Sequence, residues 1–294
     1  MKIGLSIPEQ TIGFDPAVVR DFAVLAEELG FDFLCCVDHV LGTEHARRDP
    51  PFPPEGIYTE KSVFHEPLTL FGYLAGLTRR IELVTAVLVL PQRQTALVAK
   101  QAAEVALLSN YRLRLGVGSG WNYVEYESLA SDYTSRGPRQ EEQVLLLRRL
   151  WSEPVLDVTG AFHRIDRAGL NPLLERPVPI WFGGFSKVQQ DRCARIGDGM
   201  LWARNSRLSR QGNAFIRERA AALGRDPDSL GFQAGVSGAD DESLAQGLAA
   251  WEEAGGTHAT VGGPILAGKI GRQLVDALPR LREMVGDALA SQQI

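Results

Sequence analysis

A closed (β/α)8 TIM barrel is the fold class this sequence predicts, and three observations carry it. Eight short apolar runs are each followed by a stretch with helical periodicity. The runs are apolar on consecutive positions, as parallel strands covered on both faces are. No composition break divides the 294 residues, so the units are read as one domain, 1–294, of a length that such barrels routinely use. Eight strand-then-helix units favour ring closure over an open doubly wound sheet.

The units follow in order. KIGLSIP (2–8) reads as the first strand, after which Asp15 and Pro16 supply an N-cap and a first-turn proline. Val18, Val19, Phe22, Ala26 and Leu29 recur at helical spacing, and Gly30 is the expected terminator. FDFLCCV (31–37) is the second strand. From Asp38 to Glu66 the chain has no periodicity and carries Pro50, Pro51, Pro53 and Pro54, which predicts a long functional loop or lid after strand 2. Pro67 opens a helix to Thr78, IELVTAVLVL (81–90) is the third strand, and a helix over 95–109 leads into LRLGVG. A short helical piece after Trp121 and a longer helix from Pro138 to Trp151 complete the fourth unit. VLDVTGAFHRI (155–165) alternates about Thr159–Gly160 and predicts a surface hairpin inserted after that helix. PIWFGGF (179–185), GMLWAR (199–204), LGFQAGV (230–236) and HATVGG (258–263) are the remaining strands, each with a helix behind it. Pro279 is expected to kink or divide the last helix.

Composition narrows the function. A formal charge of −5 without a basic cluster argues against a nucleic-acid partner. No apolar run reaches the roughly 18 residues of a membrane span, and the start has no leader-like segment, so a cytoplasmic protein is expected. Cys35, Cys36 and Cys193 form no disulfide framework and read as small apolar residues.

In a barrel the working groups lie at the carboxyl ends of the strands. Those ends carry Glu9, Asp38–His39, Pro91–Gln92–Arg93, Ser119–Gly120–Trp121, Gly183–Gly184–Phe185–Ser186 and Trp202. Gly116, Gly118 and Gly120 alternate at the end of the fourth strand, where bare backbone can approach a flat or phosphorylated ligand. Tryptophans, glycines and few charges suit a planar aromatic cofactor. His39, paired with Asp38 and facing Glu9, is the candidate proton donor or acceptor. The two carboxylates read equally as rim charges held by Arg93. Ser186-x-x-Gln189 reads as a capping box, and a capped helix start behind two glycines is also an anion site. His39, Glu44 and His45 have no common zinc spacing, so no metal is expected. Among Lys2, Lys61, Lys100, Lys187 and Lys269 only Lys187 is near a mouth, which disfavours a Schiff-base aldolase. GVGSG fits neither the methyltransferase turn nor GxGxxG.

SIPEQ at the start, AEELGFDFLCCVDHV (26–40), VTAVLVLPQR (84–93), LGVGSGW (115–121), PVPIWFGG (177–184) and ARIGDGML (194–201) together carry a resemblance. The chain resembles the bacterial luciferase-like flavin and deazaflavin oxidoreductases over nearly its whole length. It is most similar to the F420-dependent subgroup, whose glycine strand runs into Trp and an acidic helix, here Trp121 and Glu125. The resemblance implies His39 and Glu9 as catalytic residues, with Asp38 a neighbouring acidic position. It implies a non-proline cis peptide at Ala86–Val87 backing the redox ring. Asp38, Gly118, Ser119, Gly120 and Trp121 are implied as cofactor-binding residues, and Gly183, Gly184, Phe185 and Ser186 as the phosphate turn. Trp202 and His65 are expected to meet substrate, and a homodimer is expected. Two departures matter. Trp121 replaces the glutamate acid/base of the sugar-phosphate dehydrogenases. Ser119 stands where the FMN-using branch has an arginine, which favours F420 as cofactor. Hydride transfer between F420 and a small organic substrate is therefore the expected activity. An FMN-dependent monooxygenase and a non-catalytic flavin-binding protein are the alternatives.

Overall fold

The computed structural model describes residues 1–44 and 58–290. The expected loop prolines 50, 51, 53 and 54, and His45, lie outside the described residues. Strand β1 (Lys2–Ser6) is followed by a short helix α1 (Glu9–Ile12) and by α2 (Pro16–Glu28). Asp15 caps α2 as the sequence predicts, its carboxylate accepting from the Ala17 N–H at 2.9 Å. Strand β2 (Phe33–Cys36) is buried along its whole length, and α3 (Pro67–Leu77) starts at its proline with Glu66 as N-cap.

The apolar run 81–90 forms β3 (Glu82–Thr85) and β4 (Leu88–Val89), with the Ala86–Val87 peptide cis between them. Then come α4 (Thr95–Leu108), β5 (Leu113–Gly118), α5 (Tyr123–Ser128) and α6 (Arg136–Ser152). The hairpin expected after this helix is present as β6 (Leu156–Thr159) and β7 (Arg164–Ala168), antiparallel and separate from the main sheet. The pattern resumes with β8 (Ile180–Gly183), α7 (Lys187–Ile196), β9 (Gly199–Trp202), α8 (Arg207–Ala222), β10 (Gly231–Gly235), α9 (Asp241–Glu253) and β11 (His258–Val261). Helices α10 (Gly263–Leu266) and α11 (Arg272–Ala290) end the described chain.

The sheet order β3-β2-β1-β11-β10-β9-β8-β5 closes because β3 also pairs with β5 through Leu83–Leu113 and Val84–Arg114. With β4 continuing the β3 stave, this is a closed barrel of eight parallel staves. Every barrel pairing is parallel, so every carboxyl end opens on one rim.

Of the two outcomes expected at Pro279, division does not occur, because the proline sits inside a continuous α11. The apolar stripe of Leu274, Leu278, Leu281 and Val285 is buried on both sides of the proline, and that packing outweighs one missing backbone bond. Glu9 opens α1 instead of ending the first strand, and the turn carries its side chain under the rim, where it is 4% exposed.

The amino-terminal side of the barrel buries polar side chains. Arg114 is 4% exposed, donates to Gln233 Oε1 at 2.9 Å and lies over the Trp181 ring at 4.2 Å. Burial, with Arg114 close by, pushes the His258 imidazole down to about 2, so this histidine is neutral structural packing.

Candidate active site

The rim brings several of the sequence candidates together. A cavity of about 380 Å³ is lined by Val37, Ala86, Val87, Gly183, Gly184, Phe185 and Trp202, among others, and none of its lining side chains is charged. Its volume lies in the range of small-molecule sites, about 300–1,000 Å³. Trp202 is 4% exposed and fixed by Nε1–H donating to Asn213 Oδ1 at 2.8 Å. The Phe185 ring, 44% exposed, leans on it at 5.6 Å.

Gly118 and Gly183 have a specific steric role. A Cβ on either would sit 2.4 Å from a methyl of Val87. The glycines therefore let the Val87 side chain seat between β5 and β8, so at these two positions the space left by the missing Cβ is filled by protein. Gly120 makes room for Val89 in the same way, at 2.5 Å. Gly184 differs, with φ at +125° and no close neighbour except the Gln189 side chain.

Asp38 is buried and locked. Its carboxylate accepts from the Val89 N–H at 2.8 Å and from Arg93 Nε and Nη2 at 3.0 and 2.6 Å. Arg93 also pairs with Glu66 at 3.0 Å. Asp38 thus pins the segment that follows the cis peptide, and of the two carboxylates it is the one that Arg93 holds. Glu9 is held by other groups: the Val37 N–H at 2.9 Å, the Cys36 thiol at 3.3 Å and the His65 N–H at 3.1 Å. Burial outweighs these donors and pushes its carboxyl up to about 7.

His39 lies two residues beyond Val37 of the cavity wall, in an adjacent aromatic cluster. Its ring packs on Tyr58 at 4.1 Å, Phe64 at 4.9 Å and Trp121 at 6.1 Å. Nδ1 faces Glu125 Oε2 at 3.4 Å. Glu125, 1% exposed, also accepts from the Val40 and Leu41 N–H groups at 2.6 and 3.1 Å, and from the Tyr58 hydroxyl at 3.3 Å. Asn122 caps α5 and donates Nδ2–H to the Tyr58 hydroxyl at 2.9 Å. Burial first, and Glu125 next, push the Tyr58 phenol up, so it stays a neutral donor.

Ser119 and Trp121 turn their carbonyls to Tyr126 and Tyr133, at 2.6 and 3.3 Å. The capping box read at Ser186 is half formed. Ser186 Oγ accepts from the Gln189 N–H at 3.2 Å, but the Gln189 amide turns to Gln140 and Arg192 at 2.8 and 2.9 Å. A buried side-chain network captures the glutamine that spacing alone assigns to the cap. His65 gives its N–H to Glu9, and its ring turns to the Gly13 carbonyl at 3.1 Å and the edge of Phe14, outside the cavity lining. Among the described residues no group of three His, Cys, Asp or Glu side chains is placed to hold a metal ion, and no helix is long and apolar enough to cross a membrane.

Glu125, Tyr58 and Asn122 are the site residues that a reading by residue type underweights. Glu125 falls on a helix and Tyr58 in an unpatterned loop, and only the folded rim sets both against His39.

An uncharged cavity, a cis-peptide wall and a carboxylate-held histidine at the carboxyl rim of a parallel barrel together make up an α/β-barrel enzyme-type site. The chain belongs to the luciferase-like monooxygenase family, whose sequence profile matches residues 1–283. It is 28% identical over 205 residues to an F420-dependent glucose-6-phosphate dehydrogenase of Amycolatopsis mediterranei, covering 68% of this chain and 57% of that one. It is 30% identical over 190 residues to an FMNH(2)-dependent dimethylsulfone monooxygenase of Pseudomonas fluorescens, covering 63% and 52%. Uncharacterized proteins of Mycobacterium tuberculosis match at 30% over 181 residues, 61% of this chain and 62% of theirs. The matched region thus spans about three-fifths or less of these relatives. Among solved structures, an F420-dependent secondary alcohol dehydrogenase superposes with a TM-score of 0.78 at 16% identity, covering 98% of both chains. The EDTA monooxygenase of Chelativorans sp. BNC1 superposes at 0.75 and 14%, covering 99% and 94%. These likenesses establish the shared barrel.

Proposed function

We propose that this luciferase-like oxidoreductase transfers a hydride between coenzyme F420 and a small organic substrate. The observation that carries the reading is His39, held against a buried carboxylate beside a cavity with no charged lining side chain. Ala86, Val87, Gly183 and Gly184 offer a smooth wall for a flat ring, and Trp202 and Phe185 offer an aromatic side for substrate. The α7 start behind Gly183 and Gly184, capped by Ser186, suits a phosphate. Ser119, Gly120 and Trp121 border the same rim, and Asp38 fixes the wall's position.

When bound, a deazaflavin supplies a two-electron hydride donor or acceptor at a ring carbon that does not sustain an oxygen adduct. The residues of the chain manage the rest. His39 takes a proton from the substrate as hydride leaves its carbon, or returns one in the opposite direction. Glu9, whose carboxyl burial pushes up to about 7, is a second group able to hold a proton, beneath the rim.

The test is the absorption spectrum of purified protein titrated with F420 and then FMN, followed by anaerobic turnover of F420 with a substrate panel. Tight F420 binding and anaerobic turnover support the reading. An FMN-dependent monooxygenase is the second reading, favoured by the dimethylsulfone monooxygenase relative. Oxygen uptake with reduced FMN, and no F420 binding, would establish it instead.

A further inference from the structure

We infer that Glu125 is a positioning residue that selects the Nδ1–H tautomer of His39 and aims its other ring nitrogen for proton exchange. The inference deepens the function proposed above and rests on it. Three features of the geometry support it.

First, Glu125 has no freedom to leave. Its side chain is 2% exposed, and one oxygen is held by two consecutive backbone N–H groups, Val40 and Leu41, at 2.6 and 3.1 Å. Those N–H groups immediately follow His39, so the carboxylate is tied to the same turn as the imidazole it faces. Second, the remaining oxygen meets His39 Nδ1 at 3.4 Å and the Tyr58 hydroxyl at 3.3 Å. A carboxylate oxygen accepts, so Nδ1 carries the hydrogen and Nε2 keeps its lone pair. Third, the ring has little room to rotate, because Tyr58 and Phe64 pack on it at 4.1 and 4.9 Å and Trp121 lies at 6.1 Å. The other charged neighbours are committed elsewhere: Asp38 to Arg93 and Val89, and Glu9 to Val37, Cys36 and His65. The arrangement is a base oriented by a buried carboxylate, which itself touches no reacting atom.

Glu125→Gln makes this testable. Val40 and Leu41 still need an acceptor, so the amide oxygen stays with them and the amide NH2 turns to Nδ1. Nδ1 must then accept, and the ring inverts to Nε2–H. Long-range 15N–1H correlation spectra of 15N-histidine-labelled protein, at a pH where the imidazoles are neutral, read this without any cofactor. His39→Ala assigns the signal. The expected result is Nδ1–H in the wild type and Nε2–H in E125Q. With a substrate from the F420 panel, kcat in E125Q should fall at least about 10²-fold, against the roughly 10⁴-fold cost of a wrong tautomer in a protease triad. F420 affinity by absorbance should stay unchanged. An Nε2–H signal in the wild type, or Nδ1–H persisting in E125Q with full kcat, overturns the inference and leaves the proposed function standing. Full turnover by His39→Ala instead removes the proton role from the proposed function, and with it any catalytic purpose for the positioning. Should E125Q fail to fold, the wild-type tautomer decides alone.

Discussion

Glu9 is pulled two ways, and burial is the stronger pull. Three donors favour the charged form, yet burial raises the carboxyl from 4.5 to about 7. The folded protein therefore binds this proton more tightly than the unfolded chain does. Its contribution to stability is fully present below about pH 4.5 and is lost as pH rises toward 7, by roughly 3 kcal/mol in all. Chemical denaturation of wild type and Glu9→Gln across pH 4–8 should show their difference changing through that window. A constant difference would mean that Glu9 ionises normally. Gly118 makes an equally local prediction. Alanine there drives its methyl into Val87, so Gly118→Ala should cost about 1–3 kcal/mol and weaken F420 binding by displacing the cavity wall. Unchanged melting and unchanged affinity would show that the Ala86–Val87 segment yields freely. Spaced glycines are visible in the sequence. That Gly118 and Gly120 face Val87 and Val89 of the neighbouring stave is not, because those partners come from another segment of the chain.

The inserted hairpin shows how an element is fixed to a barrel without joining its sheet. Glu142 on α6 accepts from the Ala161 and Phe162 N–H groups at 2.8 and 2.9 Å and from His163 Nδ1 at 2.7 Å. His163 Nε2 then meets Thr95 Oγ at 2.6 Å, and Gln143 donates to the same hydroxyl at 2.9 Å. The chain of contacts has the polarity of a nucleophile–base–acid relay. Thr95, however, is 4% exposed at the start of α4, so we assign the set to pinning the hairpin. His163→Ala should cost about 1–3 kcal/mol, speed hydrogen exchange over residues 156–168, and leave F420 affinity as it was. Slow exchange retained in that hairpin would argue that β6 and β7 hold by apolar packing alone. The hairpin was legible from alternation about Thr159–Gly160. Its latch joins residues far apart in the chain, and spacing does not register such pairs.

At the scale of the molecule, the two ends of the barrel divide the work. Near the amino ends of the strands Arg114, Trp181 and His258 pack together, and the cavity there is bordered by Arg148, Asp198 and Asp228, while the carboxyl rim keeps a cavity with no charged lining side chain. A ligand that binds only the folded rim must stabilise the whole chain, by about 2.7 kcal/mol at a hundredfold excess over Kd. F420 should therefore raise the melting temperature by several degrees, and FMN at equal concentration by much less. The reverse order would transfer the cofactor assignment to FMN.

The amino-acid order by itself determined the eight-unit barrel, the hairpin after the fourth unit and the strand ends that form the rim. These depend on local periodicity, on proline and capping signals, and on apolar runs that only a two-sided parallel sheet can bury. Three matters were decided by tertiary structure alone: which carboxylate faces His39, which one Arg93 grips, and where the Gln189 amide goes. Each is a competition among buried polar groups for partners brought together from distant segments. Its outcome turns on distances of about an ångström that no spacing along the chain encodes.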